Sequence, residues 1–179
     1  QTVTQRITGG NNIIAGTDDW NNATLDAGGN NLNRKGSYTI DGESVRVTNR
    51  AQNTRFHFGA DKTLVIAKGM TYCASVLYKL NSGTDSLFLQ FETKNSSGAK
   101  SYYGNAFKNA KQDIELDNGW KLRWASFTAT ADGYADGLFV STADDNATVT
   151  NDLTIMHPMV QMGNAPTAWT ASTGDYLTA

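Results

Sequence analysis

Short runs in which apolar and polar residues alternate dominate the chain from about residue 38 onward. A period of two is typical of strands that bury one face, and no helical period persists beyond two turns. We therefore predict an all-β chain with about nine or ten strands from residue 38 onward. The predicted strands cover residues 38–40, 44–48, 54–58, 63–67, 71–80, 86–93, 114–116, 120–130, 137–142 and 152–162, with an earlier one at 12–15.

The residues between these runs favour tight turns. Asp41 and Gly42 predict a hairpin, and the sequences Asn-Ser-Gly at 81–83 and Asp-Asn-Gly at 117–119 predict two further turns. Many short strands of this kind pack most naturally as two layers, so the predicted fold is a two-sheet antiparallel β-sandwich. We expect one domain over residues 1–179, in which residues 1–11 form a linker from a longer parent chain.

Composition agrees with this fold and excludes two classes of partner. The chain has 22 Thr, 17 Asn and 17 Gly, and only 18% of its residues are charged, against about 25% in an ordinary soluble domain. The net charge of -2 gives no field that would gather a phosphate backbone, so we predict no nucleic-acid partner. No apolar run reaches the length of a membrane-spanning helix, so we predict no membrane insertion.

Catalytic motifs are missing from the sequence. His57 and His157 have no second ligand at the short spacing of zinc hydrolases, and no nucleophile elbow or phosphate-binding glycine loop can be written. Asp113 and Glu115 place two carboxylates on one strand face, which leaves a polysaccharide-degrading enzyme as a weaker alternative. The simpler interpretation of this pair is a charged strand edge that discourages association. We predict no catalytic residues and no enzyme.

Calcium is the only cofactor that the sequence leaves open, as a structural ion. Asp18 and Asp19, Glu43 and residues 144–146 (Asp-Asp-Asn) are oxygen donors in predicted turns. No regular ligand spacing links them, so the sequence favours solvated turns and predicts no metal ligands.

Aromatic and planar polar side chains are the strongest functional signal. An exposed ring offers a flat apolar face to a sugar, and nearby amide or guanidinium groups bond its hydroxyls. Arg55 and His57 alternate with Phe56 and Phe58, so they should point away from the core. Lys79 and Glu92 also lie on non-core or ambiguous faces. The predicted carbohydrate-binding residues are Trp20, Tyr102, Tyr103 and Trp124 as stacking platforms and Arg55, His57, Gln90 and Arg123 as hydrogen-bonding groups.

The order of features over residues 12–170 resembles the jelly-roll domains, similar to carbohydrate-binding modules, of bacteriophage tail fibres, tailspikes and other phage tail proteins. Five segments carry the resemblance. They are the Asn-Ile-Ile of 12–14 followed by Trp20, the run Ile-Asp-Gly-Glu-Ser-Val-Arg-Val at 40–47, Ala-Lys-Gly-Met-Thr-Tyr-Cys-Ala-Ser-Val at 67–76, Gly-Trp-Lys-Leu-Arg-Trp-Ala-Ser-Phe-Thr-Ala-Thr at 119–130, and the closing segment 159–169, which ends Gly-Asn-Ala-Pro-Thr-Ala-Trp.

This resemblance implies a non-catalytic domain that attaches a phage tail to host surface polysaccharide through a concave sheet face and adjoining loops. It also implies a homotrimeric parent fibre and an extracellular location in the virion. Gln161 and Met162 stand where such domains often carry an acidic residue before the terminal glycine, which weakens any structural calcium site. One alternative is a capping or trimerisation module without a ligand of its own.

Overall fold

In the part of the chain that the structure describes, the strands form two six-stranded sheets, and every pairing between them is antiparallel. This computed structural model describes residues 12–25, 34–59, 65–102, 112–143 and 147–170, without the side chains of residues 101 and 102. The strands are β1 (Thr24–Leu25), β2 (Ser37–Asp41), β3 (Ser44–Gln52), β4 (Arg55–Gly59), β5 (Val65–Ile66), β6 (Thr71–Gly83), β7 (Phe88–Lys94), β8 (Lys100–Tyr102), β9 (Gln112–Glu115), β10 (Trp120–Thr128), β11 (Gly133–Ser141) and β12 (Val149–Met162).

The two sheets divide the strands in a non-sequential order. The first sheet runs β1-β4-β11-β7-β8, with β5 paired to β11, and the second runs β2-β3-β12-β6-β10-β9. Because β4 pairs with β11 and β3 pairs with β12, both sheets depend on contacts between distant parts of the chain. The prediction of an all-β, two-sheet antiparallel sandwich is confirmed.

The core lies between the sheets and is built mainly from alternate residues of the central strands. Phe56 and Phe58 on β4 and Phe91 on β7 come from the first sheet, and Val76 and Tyr78 on β6 come from the second. The alternation that predicted these strands therefore also predicts which side chains form the core.

Two of the three predicted turns form, whereas residues 81–83 continue β6 as strand, paired with β12. In the hairpin between β2 and β3, Asp41 pairs with Ser44 and Gly42 has a φ of 58°. Between β9 and β10, Asn118 has a φ of 61° and Gly119 a φ of 81°. Asn and Gly tolerate the left-handed region, so these tight connections cost little.

The segment at residues 12–15 is not a strand, contrary to the prediction. Asn12 turns the chain there, because its side-chain oxygen accepts a hydrogen bond from the backbone N–H of Ile14 at 3.0 Å. The backbone N–H of Ile13 still donates to the carbonyl oxygen of Val160, at 2.8 Å, so the segment lies against β12. Asn side chains compete with strand pairing in this way.

The described residues include no helix long and apolar enough to cross a membrane.

Candidate functional site

The outer face of the first sheet carries a row of polar and aromatic side chains. His57 on β4 is opposite Phe139 on β11, and Phe139 is opposite Gln90 on β7. Arg55 and Glu92 lie two residues from His57 and Gln90 on the same strands, so all five share one face. We call these five residues the polar face; their strand neighbours Phe56, Phe58, Leu89 and Phe91 point into the core.

Arg55 lies over the centre of this face. Its guanidinium carbon is 4.1 Å from the centroid of the Phe139 ring, and its Nη2 donates to the side-chain oxygen of Gln90 at 2.7 Å. Arg55 and Gln90 are both buried. The stacking and the hydrogen bond hold a planar donor group flat against the sheet, where it keeps one orientation.

His57 and Phe139 form the half-buried part of the polar face. Their ring centroids are 4.4 Å apart with 30° between the ring planes. The imidazole passes over Gly137, where a Cβ would collide with Nε2 of His57 and with the carbonyl oxygen of Phe58. Glycine at this position therefore allows the His57 ring to lie against the sheet.

A β-bulge in β11 brings one more carboxylate to this face. The pairing of β11 with β7 shifts register between Ala135 and Gly137, so Asp136 is the additional residue. Ala135 remains in the core, and the Asp136 carboxylate accepts a hydrogen bond from Lys94 on β7 at 3.1 Å. Bulges redirect side chains in this way and are frequent beside functional sites.

The carboxyl groups of Glu92 and Asp136 influence each other's pKa, and we call them the acid pair. The Glu92 side chain is only 2% exposed, and Lys100 on β8 approaches its Oε1 to 2.9 Å. Burial and the neighbouring Asp136 carboxylate raise the pKa of Glu92, although Lys100 opposes them. Burial also works against ionisation of Asp136, but the bonds from Glu92 and Lys94 outweigh it and lower the pKa of that carboxyl.

The side chains of the polar face are of kinds that contact sugars. Aromatic rings, a guanidinium group, an amide and carboxyl groups together provide the stacking surface and the hydrogen-bond partners that a sugar requires.

The predicted residues Tyr102 and Tyr103 are placed only in part. Tyr102 is opposite Glu92 in the pairing of β7 with β8, so its register puts it beside the polar face. Its side chain and the whole of Tyr103 lie outside the described residues. Their stacking roles stay predictions.

Trp124 lies on the other side of the molecule. It pairs with Ser75 and Gln112 on the outer face of the second sheet, where it is half-buried. The sequence interpretation put Trp124 and Arg123 in one site. This combination needs correction, because neighbouring residues of a strand point to opposite faces.

Arg123 points inward from β10 and belongs to a buried ion network. Its Nε donates to Asp113 at 2.8 Å, its Nη1 donates to Asp85 at 2.9 Å, and Nη1 also donates to the carbonyl oxygen of Leu87 at 2.8 Å. Tyr78 lies beneath the guanidinium, 4.7 Å from ring centroid to guanidinium carbon. Arg123 is thus engaged inside the sandwich rather than exposed to a ligand.

Trp20 is likewise a core residue, contrary to its predicted place on an exposed stacking surface. The residue is 1% exposed, and its ring meets the rings of Phe56 and Phe58 edge-on, each at 5.2 Å between centroids. Its indole N–H donates to the carbonyl oxygen of Glu43 at 2.9 Å. Neither ring face is open to a sugar in this structure.

An apolar cavity of about 400 Å³ lies on the outer face of the second sheet. Leu77, Ile114 and Leu122 form its floor, and Trp169 closes one side. One face of the Trp169 ring is stacked on His157, with 4.4 Å between centroids. This cavity has few of the planar hydrogen-bonding groups that distinguish the polar face.

Four of the acidic residues considered for catalysis or calcium have other partners. Asp113 binds Arg123, Glu115 lies 3.4 Å from Lys121, and Glu43 bonds His157 at 2.9 Å. Asp19 accepts a hydrogen bond from the backbone N–H of Asn21. Within the described ranges no three His, Cys, Asp or Glu side chains are grouped to hold a metal ion, and residues 144–146 lie outside those ranges. Structural calcium stays a prediction.

Three residues at the face, Glu92, Phe139 and Asp136, are absent from the sequence-based site, although the sequence placed Glu92 on a non-core or ambiguous strand face. Phe139 alternates with the core residues Leu138 and Val140, so strand periodicity alone could have assigned it to the outer face. Asp136 could not be found in this way, because a bulge changes the alternation. The glycine that follows it is the only local signal.

No protein-family model and no curated protein matches this chain. Solved structures resemble it. The CBM22-1 xylan-binding domain of Paenibacillus barcinonensis Xyn10C matches 88% of this chain and 98% of its own length, with 13% identity and a TM-score of 0.51. The tripod from the baseplate of bacteriophage Tuc2009 matches 94% of this chain and 60% of its own, with 11% identity and a TM-score of 0.51.

A third similar structure is the enzymatically active domain of tailspike protein 4 of bacteriophage CBA120. It matches 87% of this chain but only 22% of its own length, with 10% identity and a TM-score of 0.50. The chain therefore spans less than two thirds of either phage chain and nearly all of the xylan-binding domain. The likeness is one of fold, and it confirms the predicted resemblance to the jelly-roll sandwiches of carbohydrate-binding modules and phage tail proteins.

Proposed function

We propose that this chain is a non-catalytic carbohydrate-binding domain of a phage tail fibre or tailspike, and that it attaches the virion to host surface polysaccharide. The observation that carries the proposal is the polar face. There, charged and planar side chains lie on the sheet surface that is turned away from the core.

Burying such groups costs desolvation free energy, and the burial adds little net stability to the fold. A buried polar group without good partners costs about 1–3 kcal/mol, and apolar residues of similar volume often stabilise a protein as well as a buried ion pair does. Arg55, Gln90 and Glu92 are nevertheless buried outside the apolar core. Arg55 bonds to Gln90, and Glu92 bonds to Lys100, so these groups are held in fixed orientations, and a role in binding would explain their presence.

The fold supports the same proposal. Two of the similar structures come from phage tails, and the third is a xylan-binding domain. A homotrimeric fibre would present three copies of the face. Because linked copies raise the effective concentration, a weak single site would then be sufficient for attachment.

A polysaccharide-binding screen with variants on each sheet tests the proposal. We expect Phe139→Ala and His57→Ala to weaken binding to a bacterial surface polysaccharide about tenfold, which is the contribution of a lost ring contact. Trp124→Ala on the second sheet is the matched aromatic control and should keep its affinity. Isothermal titration calorimetry would measure the affinities, and circular dichroism would confirm that each variant is folded.

Two results would count against this function. If Trp124→Ala loses binding while Phe139→Ala retains it, the ligand lies on the second sheet. If no surface polysaccharide binds and light scattering finds a stable trimer, the domain is a capping or trimerisation module of the fibre.

A further inference from the structure

We propose that Gly137 is a positioning residue of the polar face, because the absence of a side chain lets the His57 ring lie against the sheet beside Phe139. Together the two rings then offer a sugar one low surface. This inference rests on the proposed function and adds to it the residue that sets the shape of the site. Gly137 acts through His57 rather than by touching the sugar.

Gly137 reaches the outer face of the first sheet because of the bulge in β11. Strict alternation from Ala135, which is a core residue, would direct residue 137 into the core as well. The bulge adds one residue, so the next core residue is Leu138, and Gly137 and Phe139 both face outward. The irregularity that adds a carboxylate to this face therefore also places a glycine there.

The His57 imidazole crosses from β4 to β11 and covers this glycine. Gly137 is opposite Gly59, which follows His57 by two residues, so the imidazole reaches diagonally between the strands. A Cβ added to Gly137 would overlap Nε2 of the imidazole and would lie 2.8 Å from the carbonyl oxygen of Phe58. The imidazole is the group that can rotate away, because the carbonyl belongs to the strand backbone.

The requirement for glycine at this position is one of space. Neither Gly137 nor Gly59 has a positive φ, so the backbone itself would accept another residue at both positions. A Cβ added to Gly59 meets nothing within 4 Å, whereas one added to Gly137 meets the His57 ring. The two opposite glycines therefore differ chiefly in what lies over them.

The position of the imidazole matters for binding because of its contact with Phe139. The His57 and Phe139 ring centroids are 4.4 Å apart, and the ring planes are 30° from parallel. An imidazole that rotates off Gly137 leaves this contact and stands up from the sheet. Because a sugar stacks on a flat apolar surface, a raised side chain beside Phe139 would hold the sugar away from that surface.

A purely structural role for the same contact leads to a different expectation. An aromatic ring can shield a glycine of the neighbouring strand and so stabilise the sheet. If shielding were the whole role of His57, a side chain at Gly137 would change the free energy of unfolding and leave the affinity of the folded protein unchanged. Ring position, affinity and stability must therefore be measured separately.

Proton NMR of the 179-residue chain tests the ring position without a ligand. The chain has two histidines, His57 and His157, so His57→Ala assigns both sets of imidazole signals. The ring current of Phe139 shifts the His57 signals, and in Gly137→Ala we expect them to move towards the values of an unstructured histidine. The His157 signals should stay in place. Gly59→Ala is the matched control and should leave both sets unchanged.

Calorimetry with a surface polysaccharide that binds the unmodified chain tests the effect on affinity. We expect Gly137→Ala to weaken binding about tenfold, as His57→Ala does, and Gly59→Ala to leave it unchanged. Because both active changes remove the same ring from its place, the double variant of Gly137 and His57 should also lose about tenfold. Independent changes would multiply to about a hundredfold. Urea denaturation of each variant shows that the folded protein is being compared.

The other outcomes count against the proposal in different ways. His57 signals or an affinity that Gly137→Ala leaves unchanged would overturn the positioning role, and so would an equal loss of affinity in Gly59→Ala. A hundredfold loss in the double variant would show that Gly137 acts independently of His57. Failure of the unmodified chain to bind any polysaccharide overturns the proposed function, and this role with it, whatever the His57 signals show.

Discussion

Arg123→Ala should lower the free energy of unfolding by about 3–5 kcal/mol, the cost of removing one partner from a buried ion network. The Arg123 side chain is only 7% exposed and neutralises both Asp85 and Asp113. Its loss leaves two carboxylates facing each other near the core, and it leaves the carbonyl oxygen of Leu87 without this donor. Urea denaturation followed by tryptophan fluorescence measures the change.

The matched control is another arginine–aspartate pair. Arg46 binds Asp152 at 2.8 Å, but its side chain is 64% exposed, so water and salt screen the pair. Arg46→Ala should leave the unfolding midpoint almost unchanged. A similar loss in both variants would contradict the view that burial makes the Arg123 network important.

The same network predicts how stability responds to acid. Burial acts to raise the pKa of Asp113, but the hydrogen bond and charge of Arg123 outweigh it and hold that pKa below its usual range. A lowered pKa contributes stability above the unfolded value, near pH 4, and the contribution is lost as the pH falls through the folded value. We expect Asp113→Asn to be less stable than the unmodified protein at pH 7 and to lose less further stability between pH 5 and 2.

Strand periodicity was enough to predict much of the fold and the outward direction of some residues of the candidate site. The alternation around Phe56 and Phe58 correctly predicted that Arg55 and His57 point away from the core. The sequence could not show that Gln90 lies one strand beyond Phe139, because β4, β11 and β7 become neighbours only through long-range pairing. Such register depends on the whole sandwich rather than on any local motif.

Two differences between the sequence-based site and the structure have local physical causes. Aromatic content alone does not separate a core tryptophan from a binding one, and Trp20 is held in the core by a 3₁₀ turn that begins after Asp19. Asp136 belongs to the acid pair because of a bulge. The bulge adds one residue to β11, so the Asp136 side chain points to the face opposite to the one that strict alternation predicts. Binding residues that depend on such irregularities are hidden from a pattern with a strict period of two.

Trp20→Ala is expected to cost about 3–5 kcal/mol of unfolding free energy, as other large-to-small substitutions of buried aromatic residues do. The change empties the space against Phe56 and Phe58 and removes the hydrogen bond to the carbonyl oxygen of Glu43. Trp20→Phe keeps a ring in place and loses chiefly that hydrogen bond, so its cost should be nearer about 1–2 kcal/mol. Chemical denaturation of both variants gives the two values.

The binding of these variants distinguishes a core role from a stacking role. If Trp20 only fills the core, the folded fraction of Trp20→Phe should bind polysaccharide with unchanged affinity, since the ring lies between the sheets while the polar face lies outside them. A stacking platform would behave in the opposite way, because its removal would weaken binding and leave stability almost intact. Loss of affinity in a Trp20→Ala protein that unfolds at the same urea concentration as the unmodified chain would therefore return Trp20 to the ligand site.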